Sequence, residues 1–361
     1  MSGTGAADAS ARWLVALSAL PGMGPARLRL VLDGRTPEDA WHEVRLGFIG
    51  VPESLRTSWS HAARRLDVDA RWAAHEQLGV RVLQPGVRGW PAPFDDDPEP
   101  PALVFARGEP SVLDGPRVAI VGTRRCSHTG RDVARELGRD LTEAGVRVVS
   151  GLALGIDGAA HQGALVAGGA PVGVVGTGLD VVYPRRHAQL WDDVAAAGVL
   201  LSEAPLGAPP DRWRFPARNR LIAALADVIV VVESHAAGGS MHTVDSALER
   251  DRLVMAVPGS VRSPSSAGTN ALLAAGSPPA RDATDVLVAL GLEPTVQRRL
   301  AEPPPEGEAG RVLAAVGWEP ATLEQIADRL DAPLGPVSVR LAELEGRGWL
   351  RQSAGWYERL R

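Results

Sequence analysis

Short unbroken apolar runs alternate with amphipathic stretches through the middle of this 361-residue chain. The first run is Arg117-Val118-Ala119-Ile120-Val121-Gly122, and similar β-rich runs follow at 146–151, 172–178, 199–203, 228–233 and 253–259. Most are apolar at every position rather than at every second one, as strands buried on both faces require. The stretches between them, such as 131–144 and 155–167, carry helical spacing. This alternation predicts an α/β fold: a mostly parallel sheet with helices on both faces.

Two flanking regions have another rhythm. Residues 11–75 read as short helices with two glycine-proline breaks, giving a helical domain over 1–78 before the sheet domain at 79–293. Residues 294–309 hold Pro303-Pro304-Pro305 and several glutamates, a stiff solvated linker. Helix patterns then recur at 310–316, 322–330 and 337–345, and two short strands flank Ser353-Ala354-Gly355. Three helices followed by a hairpin predict a winged helix over 310–361.

In a parallel sheet, ligands bind beyond the carboxyl ends of the strands, and the least ordinary residues sit there. The first strand runs into Gly122-Thr123-Arg124-Arg125-Cys126-Ser127-His128-Thr129-Gly130. This has neither dinucleotide nor Walker spacing. It is a glycine turn into a helix start, where free N–H groups and the helix dipole favour an anion; it reads either so or as a tight turn with two solvated arginines. The second strand ends in Ser150-Gly151 and leads through Gly155 to Asp157 and His161, which share a helical face. Such a pair can do acid–base chemistry, but with no accompanying nucleophile the favoured reading is a hydrogen bond that fixes the loop. Later ends carry Gly176-Thr177-Gly178, Tyr183-Pro184-Arg185-Arg186, Arg218-Asn219-Arg220, Gly238-Gly239-Ser240-Met241-His242-Thr243 and Gly268-Thr269-Asn270. Asn270 reads equally as a reader of a base edge or ribose hydroxyl and as a turn cap.

Charge first argues against a nucleic-acid partner, because the formal total is −5. It excludes a broadly basic coat. Residues 1–90, 91–308 and 309–361 carry +2, −7 and 0, so the sheet domain is the most acidic region, yet its strand-end loops are basic. Such a distribution suits recognition of a few phosphates and not a wrapped duplex. The chain has no lysine, so every fixed side-chain cation is an arginine fork able to grip phosphate in bidentate fashion. Its one cysteine, Cys126, excludes an intrachain disulfide and a cysteine zinc site. The absence of a long apolar run predicts no membrane span and a cytoplasmic protein. Trp13–Leu20 passes for a short signal core but lacks a basic leader and a small-residue cleavage site.

Taken together, the loops resemble the DprA/Smf family of DNA-processing proteins. The resemblance rests on VAIVGTRRCSHTG at 118–130, VVSGLALGIDGAAHQGAL at 148–165, GTGLDVVYP at 176–184, LLSEAPLG at 200–207, FPARNRLIAALAD at 215–227, VVVESHAAGGSMHT at 230–243 and VMAVPGS at 254–260. It implies an extended Rossmann-like domain that binds single-stranded DNA, loads the recombinase RecA onto it past single-strand-binding protein, serves natural transformation and dimerises. Ser18–Arg27 likewise resembles the helix-hairpin-helix or SAM-like unit that the family often carries.

Matched position by position, the resemblance places single-strand or phosphate contacts on Gly122, Thr123, Arg124 and Arg125. It adds Ser150, Gly151, Gly155, Asp157 and His161, then Gly178, Tyr183, Pro184 and Arg185. Arg218, Asn219 and Arg220 follow, with Gly239, Ser240, Thr243 and Asn270 completing the set. No cofactor, metal or catalytic residue is expected. Two departures stand out: Met241-His242 replaces the family's leucine-isoleucine, and Gly276-Ser277 replaces glycine-alanine. The alternative is a Rossmann-like nucleotide-processing enzyme of the nucleoside-monophosphate phosphoribohydrolase type, to which Gly238-Gly239 and Glu233 lend some appeal. A third reading, a ligand-sensing transcription regulator, rests on the winged helix alone. That helix, with seven arginines against seven acids over 310–361, is expected to contact protein or bind duplex weakly.

Overall fold

The computed structural model describes residues 3–293 and 305–360. Most of the expected linker, 294–304, lies outside the described residues. The chain divides into two compact units, Met1–Val296 and Gln297–Arg361.

The first unit is organised around an eight-stranded sheet. Its strands are β1 (Val80–Leu83), β2 (Val104–Gly108), β3 (Arg117–Val121), β4 (Arg147–Ser150), β5 (Val172–Val174), β6 (Val199–Ser202), β7 (Val228–Val231) and β8 (Leu253–Ala256), in the order β1-β2-β6-β5-β4-β3-β7-β8. The six from β3 to β8 are parallel and coincide with the six apolar runs. β1 and β2 add an antiparallel edge beside β6. Strand order reverses at β3, whose neighbours are β4 and β7, and a crevice opens at such a switch point.

The unbroken apolar pattern of β3 serves two cores at once. Val118 and Ile120 pack with helices α6 (His128–Glu143) and α7 (Ile156–Val166). Ala119 and Val121 face the opposite way, into a core shared with α9 (Arg214–Leu225) and α10 (Met241–Leu248). The N-terminal region forms α1 (Gly3–Ser18), α2 (Pro25–Leu32), α3 (Pro37–Leu46), α4 (Glu53–Arg65) and α5 (Val68–Gln77). Their core, built on Leu17, Trp41 and Trp59, runs on through Phe105, Val175, Leu200 and the Trp191 of α8 (Ala188–Ala197). The N-terminal helices thus share a core with the sheet. Two further helices, α11 (Ala267–Ala274) and α12 (Ala283–Ala289), follow β8.

The second unit contains α13 (Gly307–Val316), β9 (Ala321–Thr322), α14 (Leu323–Leu330), α15 (Leu334–Gly346), β10 (Leu350–Ser353) and β11 (Trp356–Arg359). Its three strands pair in the order β10-β11-β9. Trp349, Leu341 and Ile326 fill the core of this winged helix.

Candidate nucleic-acid interface

The strand-end loops meet over the switch point between β3 and β7. Two glycines permit the close approach. A Cβ on Gly122 would lie 2.6 Å from Ile156 Cγ1 and 2.8 Å from the Glu233 carbonyl oxygen. Gly155 has φ +82° and abuts the Thr123 carbonyl, so it needs both the missing Cβ and the left-handed backbone. The Thr123 amide donates to the Glu233 carbonyl at 2.7 Å, which ties the two loops together.

Above these loops lies an open cleft of about 830 Å³. Arg124, Arg125 and Arg212 stand exposed on its walls, and none of the three has an ion-pair partner among the described residues. An aromatic pair edges it: Tyr183 and Phe215 have ring centroids 5.4 Å apart, and the Arg124 guanidinium lies 5.3 Å from the Phe215 centroid. Exposed His235 and His242 line the wall that leads to Gly239. A side chamber of about 100 Å³ under the aromatic pair is lined in part by Gly151 and Pro184, the latter joined to Tyr183 by a cis peptide.

The floor is charged but tied down. Arg218 is only 7% exposed; it donates to the Gly151 carbonyl at 2.7 Å and to the Val174 carbonyl. Burial pulls its pKa down to about 10, against the opposing pull of Asp157. Asp157 accepts from the Gly151 amide at 3.1 Å, and burial pushes its carboxyl above the usual range although Arg218 opposes this. Arg218 is therefore a floor cation that positions Gly151, while Arg124, Arg125 and Arg212 are the cations that reach solvent.

Of the residues expected to contact a ligand, Gly122, Thr123, Arg124, Arg125, Asp157, Tyr183, Arg218, Asn219, Gly239, Ser240 and Thr243 line the cleft. Others do not. Ser150 is fully buried and donates to the Ile120 carbonyl at 2.6 Å. His161 is fully buried, and burial lowers its pKa to about 3, so it is a neutral packing residue; the expected His161–Asp157 hydrogen bond is replaced by the Asp157–Gly151 one. Gly155 shapes the loop from beneath. Gly178 is buried, with its amide on the Ala208 carbonyl. Arg185 is exposed on the short turn Arg185–His187, outside the cleft walls. Arg220 turns away to clasp Glu203 at 2.5 and 2.6 Å. Asn270 makes two bonds to the Gly259 backbone, at 3.1 and 3.3 Å, and so is a loop tie.

The expectation of an anion at the start of α6 is met from within the protein. Glu233 accepts from the Ser127 amide at 2.9 Å and from its hydroxyl at 2.5 Å, and its carboxyl group abuts Gly130. That carboxylate satisfies the helix terminus which a nucleotide phosphate would otherwise use. Sequence reasoning missed this role, and it missed Phe215, His235 and Arg212 as cleft residues. For Phe215 and Arg212 the signal was present: an aromatic side chain among clustered arginines at a helix start.

A parallel, doubly wound sheet with a cationic, aromatic-edged cleft at its switch point defines a Rossmann-like binding protein. A sequence profile of the DNA recombination-mediator protein A family matches residues 81–291, and one of the DprA winged helix domain matches 296–355. The chain belongs to the DprA/Smf family of DNA-processing proteins. It is 37% identical over 270 residues to protein Smf of Escherichia coli, covering 72% of each chain. The crystal structure of DNA processing protein A from Streptococcus pneumoniae superposes with a TM-score of 0.66 at 31% identity, covering 76% of this chain and 95% of that one. The protein of the same name from Helicobacter pylori, whose structure is described as giving insight into a single-stranded DNA binding mode, matches at TM-score 0.53 and 30% identity over 58% and 95% of the two chains.

Proposed function

We propose that this protein is a non-enzymatic recombination mediator that holds single-stranded DNA in the switch-point cleft and hands it to RecA. One observation carries the reading: beside the Tyr183–Phe215 pair, Arg124, Arg125 and Arg212 are exposed and form no ion pair among the described residues. Arginine forks take phosphate oxygens whatever the sequence, and aromatic rings take the unstacked bases that only a single strand offers. The single-strand binding named for the Helicobacter protein supports the same ligand here. We extend the reading to loading of RecA, competition with single-strand-binding protein, a homodimer and a role in natural transformation, which the resemblance to the family supports. No described helix is long and apolar enough to cross a membrane.

The phosphoribohydrolase reading loses one of its two attractions, because Glu233 is engaged by Ser127 at the start of α6, although Gly238 and Gly239 still line the cleft. For the winged helix we favour protein contact or weak duplex binding. On α15, Arg340 is already held by Glu308 at 2.9 Å and by Glu343 at 2.8 Å.

A gel-shift comparison of oligo-dT with duplex at two salt concentrations tests the reading. Tight binding to oligo-dT, weak binding to duplex and a steep loss with salt are expected. Preference for duplex, or release of free base from a nucleoside monophosphate, would overturn it.

A further inference from the structure

We propose that the bound single strand leaves the switch-point cleft along Trp213 and continues onto the N-terminal hairpin, which forms a second subsite for the same ligand. This rests on the single-strand reading above and extends it from the sheet domain's cleft to the N-terminal hairpin.

Four consecutive residues at the start of α9, Arg212 to Phe215, face more than one space. Arg212 and Phe215 line the main cleft. Trp213, between them in sequence, faces a separate groove of about 530 Å³ between the hairpin and α9. Its walls include Gly24, Pro25 and Arg27 from the hairpin side and Ala217 from α9. A small pocket lies between the two spaces, since it is lined both by Arg218 of the cleft floor and by Gly24, Pro25 and Trp213 of the groove. The cleft and the groove are therefore neighbours along one surface of a single compact unit.

Trp213 is presented as a platform. It remains 45% exposed. The Arg214 guanidinium lies 4.5 Å from its ring centroid, and Arg214 is itself anchored to Asp211 at 3.4 Å. The indole edge rests against Gly24, where a Cβ would come within 3.3 Å of it. A large indole held in place with almost half its surface in water has no packing role that requires this exposure, and base stacking uses such a ring.

Charge in the groove follows the cleft's pattern. Arg29 is matched by Glu99 and Arg220 by Glu203. Arg27 is exposed and has no carboxylate partner among the described residues; its guanidinium donates only to the Gly22 carbonyl, at 2.5 Å. Arg27 and the exposed indole of Trp213 line the same groove, so it offers a ligand both an arginine fork and an aromatic face, as the cleft does. The occupant that fits both, and that is already placed next door, is the continuing polynucleotide strand.

The test measures affinity for oligo-dT of about six nucleotides, which the cleft alone accommodates, and of about twenty, which also reaches the groove. Wild type, Trp213→Ala, Trp213→Phe, Arg27→Ala and Arg124→Ala are compared, with thermal unfolding as the folding control. Trp213→Ala is expected to weaken the long oligonucleotide by roughly 5- to 100-fold and the short one by less than about twofold. Trp213→Phe should restore most of the loss, and Arg27→Ala should lower the salt slope for the long oligonucleotide only. Equal effects of Trp213→Ala on both lengths, or none on either, would overturn the second subsite while Arg124→Ala still weakened both. Failure of Arg124→Ala to weaken the short oligonucleotide would instead strike at the cleft itself.

Discussion

The switch-point cleft and the winged helix are both rich in arginine, and the arginine on the winged helix's α15 is used in the opposite way to those of the cleft rim. Around the cleft, Arg124, Arg125 and Arg212 are exposed and form no ion pair among the described residues. On the winged helix, Arg340 of the helix that would read a groove is locked between Glu308 and Glu343. A paired arginine has already spent its fork on a local partner, and an exposed pair of this kind adds little stability. An unpaired one keeps its charge and its hydrogen-bond donors for a ligand. The number of arginines therefore says less than their pairing. A net-acidic sheet domain can therefore carry a cationic site, because its surplus acids lie away from the cleft, as exposed Asp95 and Asp96 do.

The same contrast recurs inside the cleft, between rim and floor, and it can be broken by mutation. The largest effect is expected from Arg218→Ala. It strips two buried carbonyls of their donor and leaves Asp157 without its neighbouring cation, so the fold should lose on the order of 3 kcal/mol, read by denaturant unfolding. If Arg218→Ala were as stable as Arg124→Ala, the division into floor and rim would be wrong.

Next in size is a pH effect centred on His161. Its folded pKa, about 3, lies below the ordinary 6.5, because burial disfavours the imidazolium more than the Ser150 backbone favours it, and the nearby Arg218 cation pushes the same way as burial. As pH falls below 6.5 the unfolded chain takes up a proton that the native one refuses. The stabilising contribution of neutral His161 is complete above that pH and declines toward pH 3. At pH 5 the loss is about 2 kcal/mol. The difference in stability between wild type and His161→Gln, followed from pH 7.5 to 5, isolates this from the titration of Asp157. A difference that stays constant with pH would place His161 in solvent contact.

Much of this fold could be read from the chain because the six parallel strands are apolar throughout, and only burial on both faces explains that. The antiparallel edge strands β1 and β2 were not individually legible. Val80–Leu83 and Val104–Gly108 are short, and they join the sheet through pairings that leave no motif. The cleft was legible as a set of loops, since Gly122, Arg124, Tyr183 and Gly239 all fall at strand ends and all line it. What the sequence did not reveal was which polar residue satisfies which. Glu233 meets Ser127 across 106 positions, and Arg220 abandons its neighbour Arg218 for Glu203. Such pairings depend on the three-dimensional meeting of loops, and residue type alone does not encode them. His161 was misplaced for the same reason: four residues from Asp157 on a helix, it turns into the core while Asp157 turns to Gly151.

The central claim is that unpaired rim arginines hold the strand and paired ones do not. Its most direct test is a salt titration of oligo-dT binding by fluorescence anisotropy for wild type, Arg124→Ala and Arg340→Ala. The account predicts that Arg124→Ala lowers the slope of log affinity against log salt by about 0.7, the share of one single-strand phosphate contact, while Arg340→Ala leaves the slope at its wild-type value. An unchanged slope for Arg124→Ala, or an equal reduction for Arg340→Ala, would contradict it.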